Sequence, residues 1–251
     1  MDNIFKIHLA YHGTSLERSQ QLIREQFSCQ GYSLSESDLK INPTRITLVL
    51  DQSLDFNVKD AKTVGTITLV LDEPLDVEAG ETFKAEVDNL RSNGRKLAEL
   101  TNFTLQGIPN NKRLIASLFH VAFILAHRIY QYSDFVIEVH RHSQFYEKML
   151  GFKRCGSAKT RHWANAPALL LHLDMRFISE QIIKFGGELA APEIGKKSLY
   201  PYFFSAVDEI GITQRLLKIE KYSDARQISG KPDSDDILHS SFTMERRGLK
   251  K

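Results

Sequence analysis

The sequence predicts an α/β (α+β) fold, in which a mixed, mostly antiparallel central sheet is flanked by helices and followed by a C-terminal helical extension. Runs rich in β-branched and apolar residues recur up to about residue 175, and a long segment of helical period separates two of them. Beyond Arg176 the pattern changes to two helices and a polar tail. With 251 residues, we expect a core at 1–176 and an extension at 177–251.

The individual elements follow from periodicity and from turn residues. The predicted strands lie at 5–10, 45–51, 63–72, 96–105, 135–137 and 167–175, and the one at 167–175 is expected to be the last. The predicted helices lie at 14–30, 82–94, 112–131, 143–150, 178–187 and 201–222, with polar, irregular residues at 223–251. The runs at 45–51 and 63–72 predict an antiparallel hairpin, and Gly65 predicts a bulge or a close backbone approach there.

Composition excludes several classes of protein. The net charge of +2, from 33 Lys and Arg against 31 Asp and Glu, is too balanced to indicate a nucleic-acid partner. Cys29 and Cys155 have no metal or redox spacing, which favours a reducing compartment. The N-terminus lacks a signal-peptide pattern, and the longest apolar run, 114–126, is too short to span a bilayer. We therefore expect a cytoplasmic protein without a transmembrane segment or a metal.

The stretch 134–153 has the pattern of an active-site junction. An apolar strand runs into the polar residues Glu138, His140 and His142, and a short helix carrying Tyr146 then ends at Gly151. A strand that continues into a helix through polar side chains commonly places chemistry at the end of a sheet strand. Two close histidines without a third ligand at a recognisable spacing are a weak zinc pattern. His120, His127 and His172 are expected to be structural.

Four segments resemble one known family. They are Val64-Gly-Thr-Ile-Thr-Leu-Val-Leu-Asp72, Gly94-Arg-Lys-Leu-Ala-Glu99, Val139-His-Arg-His-Ser-Gln-Phe-Tyr146-Glu-Lys-Met-Leu-Gly-Phe152 and Asn165-Ala-Pro-Ala-Leu-Leu-Leu-His-Leu-Asp174. Together with the element order, they resemble the long-chain N-acyl amino acid synthases, GNAT-superfamily acyltransferases related to the acyl-homoserine-lactone synthases. The resemblance covers about residues 1–175. It implies a GNAT-like sheet and transfer of a long-chain fatty acyl group to the amine of an amino acid.

The donor is inferred from a motif that is missing. Acetyltransferases of the superfamily carry a glycine-containing pyrophosphate loop before the helix that follows the fourth strand, whereas this chain has Pro109-Asn-Asn-Lys-Arg113. A turn without glycine cannot wrap closely around the pyrophosphate of coenzyme A. This favours acyl carrier protein, with its phosphopantetheine thioester, over acyl-CoA as the donor, and no tightly bound cofactor is expected.

The resemblance also assigns catalytic candidates. N-acylation requires a base for the amine and help for the leaving thiolate. Glu99 matches the glutamate of the family's fourth strand and is the candidate base, since apolar neighbours would raise its pKa; the alternative is a structural ion pair. Tyr146 matches the helix tyrosine that protonates the thiolate, or it is a packing aromatic. His140 suits proton transfer.

The remaining candidates are expected to bind substrates. Those for the acceptor are polar or aromatic and lie near the junction or near Glu99: Arg141, His142, Asn102, Lys112, Arg113, Trp163 and Asn165. Those for the acyl tunnel are apolar and share a stripe of the 112–131 helix, although an ordinary core needs the same stripe: Leu118, Val121, Ala122 and Leu125. Relatives often carry an arginine shortly after the strand glutamate, where this chain has Thr101-Asn102, and Lys112, Arg113 or Arg141 are candidates to replace it.

Two other functions fit the same residues. A chain that keeps the fold but has lost turnover would bind an acyl group or a carrier protein without transferring anything. An acyl-homoserine-lactone synthase would use S-adenosylmethionine as the acceptor.

Overall fold

The computed structural model describes residues 4–10, 13–29, 44–54, 61–72, 77–107, 111–140, 142–160, 167–188, 192–229 and 242–244. The strands of this part are β1 (Ile4–Leu9), β2 (Arg45–Ser53), β3 (Lys62–Leu71), β4 (Leu97–Leu105), β5 (Asp134–Val139), β6 (Lys153–Arg154), β7 (Lys159–Thr160), β8 (Pro167–Asp174) and β9 (Phe242–Met244). Its α-helices are α1 (Gly13–Cys29), α2 (Lys84–Ser92), α3 (Lys112–Phe123), α4 (Ser143–Leu150), α5 (Met175–Phe185), α6 (Pro192–Lys197) and α7 (Ala206–Ser229).

The strands form one mixed sheet, as predicted. Its order is β6-β8-β5-β4-β3-β2-β1-β9, with β7 also pairing with β8. Neighbouring strands are antiparallel except β4 and β5, which are parallel and are joined by the crossover through α3. The predicted hairpin is confirmed as β2–β3.

Helices cover both faces of the sheet. On one side, called the α3 face, Ala98 and Leu100 of β4 and Phe135 and Ile137 of β5 join the main core with α3. On the other side, called the α2 face, Leu97 and Val136 pack with a smaller cluster formed by α2 and a 3₁₀ turn at Glu78–Glu81. Because side chains alternate along a strand, consecutive residues of β4 and β5 serve the two faces in turn.

The bulge predicted at Gly65 is confirmed. The register between β2 and β3 shifts where Leu50 pairs with Gly65 and Asp51 with Thr63, which leaves Val64 as the extra residue. A β-carbon on Gly65 would lie 3.0 Å from Leu105 Cδ1 and 3.2 Å from the Thr104 carbonyl oxygen. Both readings of this glycine, bulge and close approach, therefore hold.

The long helix predicted at 112–131 has two parts. After α3, residues Ile124–Ile129 form a π-helix, in which the Tyr130 N–H donates to the Leu125 carbonyl at 3.0 Å. Ile124, Leu125 and Ala126 remain fully buried through this change. Periodicity could not separate the two helix types, because the segment is apolar nearly all round.

The end of the chain also differs from the prediction. The helix predicted to end at 222 continues to Ser229, and Phe242–Met244 pairs with β1, so β8 is not the last strand and the tail is not irregular there. A strand at the edge of a sheet is held by backbone hydrogen bonds, which leave little trace in a polar sequence.

The extension packs on the α3 face, where Ile178, Ile182, Leu216 and Ile219 enter the main core. The Tyr200 hydroxyl donates to the Leu150 carbonyl at 2.6 Å. No helix in the described part of the chain combines the length and apolarity needed to cross a bilayer.

A buried polar cluster ties α7 to α3. His120 is fully buried, its Nδ1 accepts from the Phe204 N–H at 3.0 Å, and its Nε2 lies 2.9 Å from Glu209 Oε2. Arg128 donates to the other Glu209 oxygen at 2.7 Å. The Phe204 bond places the imidazole proton on Nε2. Burial lowers the pKa of His120 although Glu209 opposes this, which supports its structural role.

Candidate active site

The site is organised by the divergence of β4 and β5. The parallel pairing joins only Leu97–Glu99 of β4 to Asp134–Val136 of β5. We call this paired part of the two strands the tied end. Beyond it, both strands continue without sheet pairing to each other, over residues 100–105 and 137–139, and we call the gap between them the cleft. Strand edges that face each other across such a gap present N–H and C=O groups to whatever enters it.

The tied end is closed by a buried ionic cluster. Asp134 has no exposed surface and accepts hydrogen bonds from Arg95, Ser133 and His172. Arg95 also lies 2.8 Å from Asp174. Burial raises the pKa of Asp134, but the hydrogen bonds outweigh it and hold the pKa below its usual range. His172 is therefore part of a structural cluster, as expected.

A bulge in β4 borders the cleft. Thr68 pairs with Thr101 and Thr66 with Thr104, so that Asn102 and the following residue oppose a single residue of β3. Asn102 has a φ of 51°, which asparagine tolerates better than most residues, and its carbonyl accepts from the Thr66 hydroxyl at 2.8 Å. A bulge bends its strand, so this residue shapes the cleft wall. An asparagine inside a strand was the available sequence signal for it.

Glu99 lies on the α2 face at the last pair of the tied end. Its side chain alternates with Ala98 and Leu100, and the residue is 3% exposed. Its Oε2 accepts a hydrogen bond of 3.1 Å from the backbone N–H of Ala79 in the 3₁₀ turn. This bond fixes the direction of the carboxylate where the strands begin to part.

Glu138 and His140 continue the same face along β5. Val136 pairs with Glu99, and side-chain alternation puts Glu138 on the same face as Val136. Glu138 Oε1 lies 3.3 Å from His140 Nε2, with side-chain exposures of 8% and 17%. Glu138 was not among the predicted site residues, although the spacing of two between Val136, Glu138 and His140 is visible in the sequence.

Tyr146 lies on the opposite, α3 face. Its ring centroid is 6.3 Å from that of Phe119, which lies 5.0 Å from the ring of Phe103 on β4 beyond the tied end. These aromatics border the cleft on the side of α3. Burial raises the pKa of Tyr146, so its phenol stays protonated at neutral pH.

Left-handed residues set the ends of α4. His142 at its start has a φ of 60° and is exposed, and Gly151 at its end has a φ of 85°. A β-carbon at Gly151 would lie 2.6 Å from the ring of Phe177, so glycine is needed there for both conformation and space.

The structure shows different things for the remaining predicted site residues. Lys112 Nζ donates to the Gly195 carbonyl at 2.6 Å and so anchors α6, and Arg113 is exposed. The apolar residues predicted for an acyl tunnel have no exposed surface and belong to the main core: Leu118, Val121, Ala122 and Leu125. Three predicted residues lie outside the described part of the chain: Arg141, Trp163 and Asn165. Across the residues that the structure describes, His, Cys, Asp and Glu form no cluster of three suited to a metal ion.

The fold and the cleft together define a class of protein. Among solved structures, the chain is similar to FeeM, an N-acyl amino acid synthase from uncultured soil microbes, with a TM-score of 0.59 and 20% identity over 68% of this chain and 91% of that one. It is also similar to Arabidopsis thaliana NAA60 in complex with a bisubstrate analogue, with a TM-score of 0.50 and 14% identity over 67% of this chain and 98% of that one. The fold is GNAT-like.

The sequence places the chain within this class. Residues 18–174 match the family model of the N-acyl amino acid synthase FeeM, and the chain belongs to that family. No curated protein matches it significantly. The protein is an acyltransferase of the N-acyl amino acid synthase type, as the sequence predicted.

Proposed function

We propose that the protein transfers a long-chain fatty acyl group from the phosphopantetheine thioester of acyl carrier protein to the amine of an amino acid in the cytoplasm. The observation that carries the proposal is the cleft between β4 and β5, with Glu99 on one face of the sheet and Tyr146 on the other. An acceptor on the α2 face and an acyl chain on the α3 face would meet within it.

The shape of the cleft suits a phosphopantetheine arm. That arm is extended and contains two amides, which can pair with the strand edges on either side as an added strand would. The aromatic rings of Phe103 and Phe119 offer the acyl chain an apolar surface at the end toward α3. Leu118, Val121, Ala122 and Leu125 lie deeper on the same face and would contact the chain only if the core adjusts.

The start of α3 favours a carrier protein over coenzyme A. The Leu114 N–H, a group that could face a pyrophosphate, already donates to the Asn111 side chain at 3.2 Å. The Lys112 ammonium is directed at the α6 carbonyls. A donor without a pyrophosphate requires neither group.

The chemistry divides between the two faces. The amine nitrogen forms a bond with the thioester carbonyl carbon, the carbon–sulfur bond breaks, and the products are an amide and a thiol. In this proposal, Glu99 and His140 take protons on the acceptor side, and Tyr146 on the other side protonates the sulfur. We assign Arg141, His142, Asn102, Arg113, Trp163 and Asn165 to the surroundings of the acceptor, where cationic and amide groups can hold its carboxylate.

The test uses the full chain with palmitoyl-acyl carrier protein, palmitoyl-CoA and a panel of amino acids, with products identified by mass spectrometry. We expect N-palmitoyl amino acids, faster formation from the carrier protein, and a rate at least about 10²-fold lower for Glu99→Gln. Glu86→Gln, which removes a carboxylate of α2 that pairs with Lys159 of β7, is the matched control. Acyl binding without transfer to any amine would overturn the proposal in favour of a binding module.

A further inference from the structure

The acceptor must lose two protons, and the α2 face must provide the groups that take them. At neutral pH an amino acid carries an ammonium group, and its nitrogen loses two protons on becoming an amide N–H. One proton must leave before the attack and one during it, so a second base beside Glu99 allows the attack to proceed without waiting for the first proton to leave the Glu99 carboxylate. Glu99 is held by the Ala79 N–H at the edge of the cleft and is suited to the first.

A second group of the right kind lies further along the same face. Glu99 pairs with Val136, and His140 follows four residues later, directly after β5 ends. A spacing of about 4.8 Å between paired strands and a rise of about 3.3 Å per residue put the Cα atoms of Glu99 and Glu138 at least about 8 Å apart, because pairing between the strands stops after Val136. Such a separation leaves space for an amine between Glu99 and the side chains that follow on β5.

The contact between Glu138 and His140 decides which nitrogen of the ring is basic. Glu138 Oε1 lies 3.3 Å from Nε2, and the carboxylate is the more buried of the two groups. A buried carboxylate next to one ring nitrogen favours the tautomer with the proton on that nitrogen, and the opposite nitrogen is then the acceptor. Contacts of this length commonly shorten to hydrogen bonds when substrate binds.

We propose that Glu138 is a positioning residue that holds the His140 proton on Nε2, so that Nδ1 takes the second proton of the acceptor amine. This proposal rests on the proposed function. Glu99 takes the first proton from the ammonium and releases it to solvent. The amine then attacks the thioester carbon, its second proton passes to His140 Nδ1, and the carbon–sulfur bond breaks.

The protons balance over the cycle. The departing sulfur takes a proton from Tyr146, the phenolate regains one from solvent, and the imidazolium releases one to solvent. The net reaction converts a thioester and an ammonium into an amide, a thiol and one proton. No oxidant, reductant or further reactant is required.

The experiment compares Glu138→Gln, Glu138→Asp and His140→Gln in the full chain, with Glu86→Gln as the control for loss of a carboxylate. Two quantities are measured: steady-state transfer from palmitoyl-acyl carrier protein, and the tautomer of His140 from long-range ¹H–¹⁵N couplings, with the His140 signal identified by its loss in His140→Gln. For Glu138→Gln, we expect kcat to fall about 10²-fold. KM for the donor should change by less than about twofold, since Glu138 lies on the acceptor face.

The tautomer separates positioning from structural support. We expect the proton of His140 to shift from Nε2 toward Nδ1 in Glu138→Gln, and Glu138→Asp to restore part of both the tautomer and kcat. An unchanged tautomer would overturn the proposal, even if kcat fell. An unchanged kcat beside an altered tautomer would also overturn it. If the unsubstituted protein transfers no acyl group, the proposed function fails, while the tautomer measurement still decides whether Glu138 positions His140.

Discussion

The two ends of the β4–β5 pair are built in opposite ways. At the tied end, backbone pairing and the buried Asp134 cluster hold the strands together, and the Asp134 carboxylate is hydrogen-bonded from three sides. At the cleft, sheet pairing between the same strands stops, β4 bulges at Asn102, and Glu99 and Glu138 lie along the gap.

The difference shows how the sheet keeps a gap in its centre. Backbone groups that lose sheet pairing destabilise the fold unless water, side chains or a ligand satisfy them. An ionic cluster at one end can fix the relative position of two strands, so that their separation at the other end is preorganised for a substrate arm. At the tied end the polar groups are satisfied within the protein, and at the cleft, the proposed active site, Glu99 and Glu138 border the gap.

The largest effect is expected from breaking the tied end. Asp134→Asn removes the charge that Arg95 and His172 share, and leaving a buried ion pair without one partner typically costs about 3–5 kcal/mol. We expect the free energy of unfolding, measured in urea, to fall by about that amount. Glu86→Gln, which breaks the more exposed pair with Lys159, should cost under about 1 kcal/mol. Equal losses in the two variants would remove the distinction between the ends.

At the cleft, the corresponding change should affect rate and leave stability nearly unchanged. Tyr146→Phe removes one hydroxyl, and we expect transfer to slow about 10²-fold, equivalent to about 2.7 kcal/mol. This is the low end for a general acid, because burial raises the pKa of Tyr146 and makes it a weaker acid. The free energy of unfolding should change by under about 1 kcal/mol. A rate within twofold of the unsubstituted protein would show that the thiolate leaves unaided.

A third effect, on the pH dependence of stability, is expected from the buried polar cluster between α3 and α7. Burial lowers the pKa of His120 in the folded state, so the unfolded chain, in which the pKa is about 6.5, binds the proton more readily. The stabilisation is complete above pH 6.5 and is lost as the pH falls toward the folded-state pKa. Relative to His120→Gln, the unsubstituted protein should lose up to about 1.4 kcal/mol per pH unit below pH 6.5. Urea unfolding at several pH values tests this, and parallel curves would contradict it.

The smallest effect is expected at the bulge. Asn102→Ala keeps a β-carbon in a left-handed conformation but removes the polar amide that makes this conformation tolerable for asparagine, which should cost about 1 kcal/mol of unfolding free energy. Asn102→Gly relieves that conformation and should lie within about 0.5 kcal/mol of the unsubstituted protein. Thermal unfolding of both variants provides the comparison. If the two variants were equally destabilised, the side chain of Asn102 would matter more than its backbone.

Much of the fold was predictable from local pattern. The β2–β3 hairpin, the bulge at Gly65, the α3 helix and the strand that runs into the helix of Tyr146 each depend on residues close together in sequence. The family followed from short motifs around Glu99 and Tyr146, and the match over residues 18–174 confirms it. Such features are determined by conformational preference and by alternation between apolar and polar residues.

Only the tertiary structure decided the arrangement of the site. A single strand carries no signal for where its pairing with a distant neighbour stops, so the length of the tied end could not be read from β4 or from β5. The use of Lys112 to anchor α6, the pairing of β9 with β1 and the contact between Glu138 and His140 depend in the same way on distances in space. The sequence shows which chemical groups are available, and pairing between strands far apart in sequence places them. Backbone hydrogen bonds form with almost any side chain, so the sequence carries little signal for this pairing.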